Sequence, residues 1–227
     1  MLGDEPRKVE ESFLRPDLLV PDLLAYYLPF HFYGPKTWGI YMLESGVVRL
    51  ATSLSPAAAW PELLEAVFLA LLVHEQFHAS AEAGATRMES LVGREVHRHA
   101  ASDVRARLRE EAMANAQAAR SIRKAFPHVS PALERLMVQW PEGYRDFARF
   151  LGQADQSRGF EEVAEEYRRY AGMRSLGGPG GFLFKPLSAS DRAYIPTYWV
   201  LDGHRHGHFL PDWFLRRHPG TGMLTRW

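Results

Sequence analysis

The sequence predicts an α+β fold, mainly helical, with a small β-sheet before its longest helix and a β-hairpin near the C-terminus. Three observations carry that expectation. Leu63, Leu64, Val67, Phe68, Leu71 and Leu72 recur at helical spacing, in a stretch that runs from Glu62 to about Leu91 without a proline. A second proline-free stretch follows Ser102 and Asp103, both plausible helix caps, and ends near Pro127. Runs rich in β-branched and aromatic residues flank this helical centre, "TWGIYMLESGVVRLATSL" before it and "AYIPTYWVLDGHRHGHF" after it.

In chain order, the opening "RPDLLVPDLLAYYLPFHFYGP" is broken by Pro16, Pro21 and Pro29, which predicts short helical turns. The run at 38–53 reads as a hairpin turning at Glu44-Ser45-Gly46. Pro56 and Pro61 then lead into the two long helices. "SPALERLMVQW" opens another, with Pro131 in its first turn, and residues 142–152 and 159–172 give two more. "GGPGG" at 177–181 is a linker, and Asp202-Gly203 is a two-residue hairpin signal. One domain is therefore expected over 1–176, with 177–227 a linker and hairpin extension packing on it.

With 46% hydrophobic and 12% aromatic residues, the chain can bury a sizeable core. Lys+Arg and Asp+Glu both number 27, so the charge balance points to no nucleic-acid or membrane-surface partner. There is no cysteine, which excludes disulfides, thiolate nucleophiles and thiolate zinc sites. Any metal must use imidazole and carboxylate ligands. The longest strongly apolar run, "AVFLALLV", falls far short of the roughly 20 residues of a membrane span. The start, "MLGDEPRKVEES", lacks a signal-peptide core, so a cytoplasmic location is expected.

Residues 71–80 read "LLVHEQFHAS". On a helix, i and i+4 lie on one face, so His74 and His78 can aim ring nitrogens at one ion. Glu75 stands one residue round from His74, where it can take a proton from a metal-bound water without being a ligand. His74 continues the stripe of Val67 and Leu71, so the pair faces the interior, where polar groups without partners are costly. A histidine pair satisfied by ordinary hydrogen bonds is the alternative.

A third ligand is offered downstream by "LREEAMANAQAAR" (108–120). Glu111 can complete a His2Glu set for Zn2+, leaving the fourth position for water. Asn115, one turn on, can accept a hydrogen bond from the outer nitrogen of a ligand histidine. Ala112, Ala114, Ala116, Ala118 and Ala119 make a slim helix able to approach the first. Glu110 points about a quarter-turn away and reads as a control for Glu111. Glu82 and Glu89 extend the histidine face and remain alternative ligands, though one straight helix cannot easily wrap three ligands round a tetrahedral ion. Glu82 reads best as a hydrogen-bonding or ion-pairing residue beside the site.

"HEQFH" followed by "EEAMAN" resembles the gluzincin branch of zinc metallopeptidases, and among them the minigluzincins that include IrrE-like and ImmA-like proteins. The resemblance covers roughly residues 38–120. It implies a zincin-like core, His74, His78 and Glu111 as zinc ligands, and Glu75 as general base. It also implies a hairpin at 38–53 supplying an edge strand for a peptide. Phe77 departs from the small residue more usual before the second histidine.

His204, His206 and His208 alternate, sharing one face if they lie on a strand. That spacing can support metal binding; alternatively one of these imidazoles, such as His206, or Tyr198 or Arg205, can donate to the oxyanion formed when water attacks a carbonyl. His97, His99 and His128 fall in connections and read as solvated. The resulting expectation is a zinc-dependent hydrolase, a soluble metallopeptidase acting on a peptide or protein substrate. The alternative is a non-catalytic zinc-containing binding or regulatory module. Glu75-Gln-Phe-His78 also reads as Glu-x-x-His, but no second such pair occurs, which sets a ferritin-like di-iron protein aside.

Overall fold

The apolar stripe from Leu63 to Leu72 does bury, and it lies on the helix that organises the molecule. The computed structural model describes residues 24–152, 156–172, 195–201 and 204–206. In order, these form β1 (Ala25–Leu28), α1 (Phe30–Tyr33), β2 (Gly39–Leu43), α2 (Glu44–Ser53), α3 (Trp60–Val92), α4 (His97–Ser102) and α5 (Val104–Ala125). Then come α6 (Ser130–Met137), a 3-10 turn at Tyr144–Phe147, α7 (Ala148–Leu151), α8 (Gln156–Ala171), β3 (Thr197–Leu201) and β4 (His204–His206). The fold is mainly helical with one small sheet. No helix among the described residues is long and apolar enough to cross a membrane.

α3 has 33 residues, with Pro61 in its first turn and Gly93 in the left-handed region (φ 68°) ending it. At 1.5 Å per residue it is about 50 Å long. α5 is capped by the Asp103 carboxylate, which accepts from the amides of Arg105 at 2.7 Å and Ala106 at 3.3 Å. α3 and α5 pack along each other. Both carry small buried residues, Ala79, Ala81 and Ala85 on one and Ala112, Ala114, Ala116, Ala118 and Ala119 on the other, which lets two backbones approach closely.

The four strands run in the order β1-β2-β3-β4. β1 and β2 are antiparallel, β2 and β3 parallel, and β3 and β4 antiparallel, with Leu201 opposite His204. Side chains alternate between faces. Ile40 and Met42 turn into the core with Trp199, whose ring lies 5.8 Å from that of Phe68 on α3. Tyr26, Tyr41 and Tyr198 stack on the other face, at 5.1 and 4.7 Å between neighbouring rings.

Three expectations are corrected here. Among its described residues the Pro-rich opening yields a strand, β1, before the helical turn α1, because Tyr26 and Tyr27 pair with Tyr41 and Ile40. The expected hairpin at 38–53 is a strand followed by a helix. Gly46, Val47, Leu50 and Ala51 bury one face of α2 at helical spacing, and tertiary packing outweighs the β-propensity of Val47 and Val48. Gly46 sits so close to Leu24 that a Cβ there would meet its carbonyl oxygen at 2.5 Å. Consequently β2 is no edge strand: β1 and β3 flank it.

Candidate metal centre and cleft

Periodicity on α3 and slimness on α5 bring three ligand atoms together. His74 Nε2 lies 3.2 Å from His78 Nε2, and Glu111 Oε2 lies 3.2 Å from the first and 3.4 Å from the second. The outer nitrogens are fixed. His74 Nδ1 stands 2.9 Å from Asn115 Oδ1, and the Asn115 amide nitrogen donates to Tyr144 O at 2.9 Å, which orients the side chain. His78 Nδ1 stands 2.8 Å from Glu110 Oε1. An oxygen acceptor on each Nδ1 holds that nitrogen as an N–H, so an ion that displaced the protons shared with Glu111 would meet both Nε2 lone pairs beside the carboxylate.

That triangle fits a zinc ion. Ligands at 2.0–2.1 Å in tetrahedral array stand roughly 3.3 Å apart, close to the three edges observed. The His74 side chain is 1% exposed and those of His78 and Glu111 are 14% and 16% exposed, so the three donors are largely held inside the protein. Three inward-facing electron-rich atoms at this depth call for a cation.

Glu111 and the two rings shift each other. Burial alone would lower the His78 ring, but the Glu111 charge and hydrogen bonds to Glu110 and Glu111 raise it well above 6.5. Burial likewise lowers His74, yet its hydrogen bond to Glu111 and the charges of Glu75 and Glu111 leave it raised. Burial pushes the Glu111 carboxyl up, but the His78 charge and hydrogen bonds to both rings hold it well below its usual range.

A pH prediction follows from these directions. The depressed Glu111 stabilises the fold above its ordinary value near 4.5, and that contribution is lost as pH falls through the lowered value. The raised histidines stabilise it fully below 6.5, and that contribution is lost as pH climbs through their raised values. Metal-free protein should therefore melt at a lower temperature at about pH 9 than at about pH 6. Zinc must displace the same protons, so the rise in melting temperature on adding Zn2+ should grow over that interval. Paired thermal melts check this, and a zinc-induced rise independent of pH would exclude these histidines as the binding groups.

Glu75 borders a cleft of about 260 Å3 together with His78, Glu110 and Glu111 from the metal centre. Tyr26, Tyr27, Pro29 and Phe32 also line it, as does Arg107. Tyr198 is not among the described residues lining this cleft; it stacks behind Tyr41, which stacks behind Tyr26. The side chain of His206, with those of His204, Arg205 and His208, lies outside the described residues.

Glu82 is not brought to His74 and His78. Its Oε1 accepts from the His31 backbone N–H at 2.8 Å and lies 2.6 Å from His31 Nδ1. Its Oε2 accepts from the Phe30 amide at 3.0 Å and from the Tyr27 hydroxyl. Glu89 accepts from the amides of Val96 and His97 and lies 2.7 Å from His31 Nε2. His97, expected in solvent, is buried against this network, whereas His99 is exposed and His128 pairs with Glu62 at the surface. Glu110 is no neutral control either, since it holds His78.

His31, Tyr27, His97 and Glu110 thus escaped the sequence reading. One signal was available: Glu82 and Glu89, seven apart on a buried helix face among Ser80, Ala81, Gly84 and Ala85, demand basic partners from elsewhere. Comparison with protein-family models, with curated proteins and with solved structures gives no match for this chain, so its reading rests on the geometry of the centre itself.

Proposed function

We propose that the chain is a zinc-dependent hydrolase, specifically a metallopeptidase with a zincin-like core. His74, His78 and Glu111 would hold the ion, in keeping with the resemblance of "HEQFH" and "EEAMAN" to gluzincins. The observation that carries this reading is the convergence of two Nε2 atoms and one carboxylate oxygen at 3.2–3.4 Å, with both outer nitrogens tied down. Bound zinc supplies Lewis acidity, polarising a carbonyl and making water a better nucleophile near neutral pH.

The protein's own groups do the rest. Glu75, buried and bordering the cleft, takes the proton of the attacking water and returns it to the leaving amine. Asn115 and Glu110 keep the two imidazoles in the tautomer that presents Nε2. The aromatic wall of Tyr26, Tyr27 and Phe32 gives an apolar surface for a peptide side chain. Arg107, rather than Tyr198, is the donor positioned on the cleft to steady a developing negative charge.

The test is hydrolysis of a mixed synthetic peptide library by the zinc-loaded full-length chain, read by mass spectrometry. New amine and carboxylate termini that vanish with a chelator and return with Zn2+ are expected. A zinc-loaded chain that cuts no peptide would remove the hydrolase reading and leave a zinc-holding binding module.

A further inference from the structure

A second group of ligand atoms converges about two turns further along α3. His31 comes from α1, Glu82 from α3 and His97 from the start of α4, and one ligand atom of each lies within 4.8 Å of the others. Glu82 lies four residues beyond His78 and eight beyond His74, roughly 6 and 12 Å along the helix axis, and the two groups share no residue, so this is a separate centre. We infer that His31 Nδ1, Glu82 Oε1 and His97 Nε2 form a second site for a divalent transition-metal ion of the zinc class.

The hydrogen bonding follows the same logic as at His74 and His78. His31 Nε2 stands 2.7 Å from Glu89 Oε2, and Glu89 is itself anchored by the amides of Val96 at 2.7 Å and His97 at 2.8 Å. Glu89 holds Nε2 as an N–H, while Nδ1–H donates to Glu82 at 2.6 Å, and an ion bound there would take the place of that Nδ1 proton. His97 Nδ1 lies 3.4 Å from the Tyr167 hydroxyl, which donates its own proton to Glu110 Oε2 at 3.2 Å. With its proton directed to Glu110, the hydroxyl oxygen faces Nδ1 as an acceptor, which leaves a lone pair on Nε2.

His97 Nε2 is the atom that calls for a ligand. Its side chain is 6% exposed, and the nitrogen has no hydrogen-bond partner. It faces Glu82 Oε1 at 3.9 Å, too far for a hydrogen bond. The His31–Glu82 and His97–Glu82 separations of 2.6 and 3.9 Å bracket the roughly 3.3 Å of tetrahedral zinc ligands. A charged His31 clamped between Glu82 and Glu89 would account for His31 alone, and it leaves His97 Nε2 aimed at nothing. Two imidazoles and a carboxylate suit zinc or iron rather than calcium or magnesium.

An ion here would tie together three elements distant in sequence. Tyr27, Phe32 and His97 all line the cleft, so it would stiffen that wall. Glu110 connects the two centres, with one oxygen on His78 and the other on Tyr167. The inference does not rest on the hydrolase reading.

The test is zinc stoichiometry of the full chain, stripped, reloaded with excess Zn2+, desalted and assayed by plasma mass spectrometry. Two equivalents are expected for wild type, and one for His97→Gln and for His31→Gln. Glu111→Gln should also retain one, held at His31 and His97. A single equivalent that disappears in Glu111→Gln but survives both histidine variants would overturn this inference and spare the hydrolase site. A second equivalent unaffected by either histidine variant belongs elsewhere and would equally overturn it. A single equivalent lost only in the His31 and His97 variants would uphold the second site and remove the first. Circular dichroism of each variant guards the comparison, and the wild-type count stands whether or not a variant folds.

Discussion

Glu75→Gln is expected to keep zinc and lose turnover. Glutamine matches glutamate in size, so a side chain that is 1% exposed is replaced without a cavity or a clash. The three converging atoms belong to His74, His78 and Glu111, and their hydrogen bonds run to Asn115 and Glu110, so the ligand set is untouched. What disappears is the ability to accept a proton, since an amide is not a base at neutral pH. General-base catalysis is worth typically 10²–10⁴-fold, and kcat should fall by about 10³-fold or more. Zinc content and kcat measured on the same preparation check this. A variant with near-wild-type kcat would exclude Glu75 as the base.

Glu111→Gln should have the opposite profile, losing the ion held by His74 and His78 and with it all activity. The carboxylate is the one anionic atom among the three ligands, and a neutral amide is a far weaker donor to zinc. Loss of an outer hydrogen-bond partner costs typically 10–100-fold in metal affinity, and loss of a ligand should exceed about 10²-fold. Glu110→Gln supplies the contrast. Its oxygen bonds the outer nitrogen of His78, so affinity there should drop by only about tenfold. Competitive zinc titration of both variants ranks the neighbours. If Glu110→Gln proved the more damaging, the ligand assignment would have to be exchanged.

The helical half of the fold was legible because its signals are local. The α3 stripe is set by residues three and four apart, and the α5 start by Asp103 reaching two and three residues ahead. His74, His78, Glu111 and Asn115 were legible for the same reason: each pair needs only the period of one helix. β1 and α2 were not, because their conformations are decided by partners elsewhere. Gly46 sits in a helix against the backbone of Leu24, and "ESG" between β-formers carries no trace of that contact. His31 and Glu82 lie 51 residues apart, and no spacing rule spans a connection of that length. Tyr198 was judged by chemistry alone, and the sheet register decides that its ring stands third in a stack behind Tyr26.

The parallel pairing of β2 with β3 has a consequence for synthesis. Ile40 and Thr197 are register partners, although nearly the whole helical body is translated between them. Until residues 197–201 leave the ribosome, one side of β2 presents bare amides and carbonyls next to tyrosine rings, an invitation to pair with a neighbouring nascent chain. Truncation before Thr197 would make that condition permanent. Such a product should tend towards inclusion bodies even though α3 and α5 are present in full.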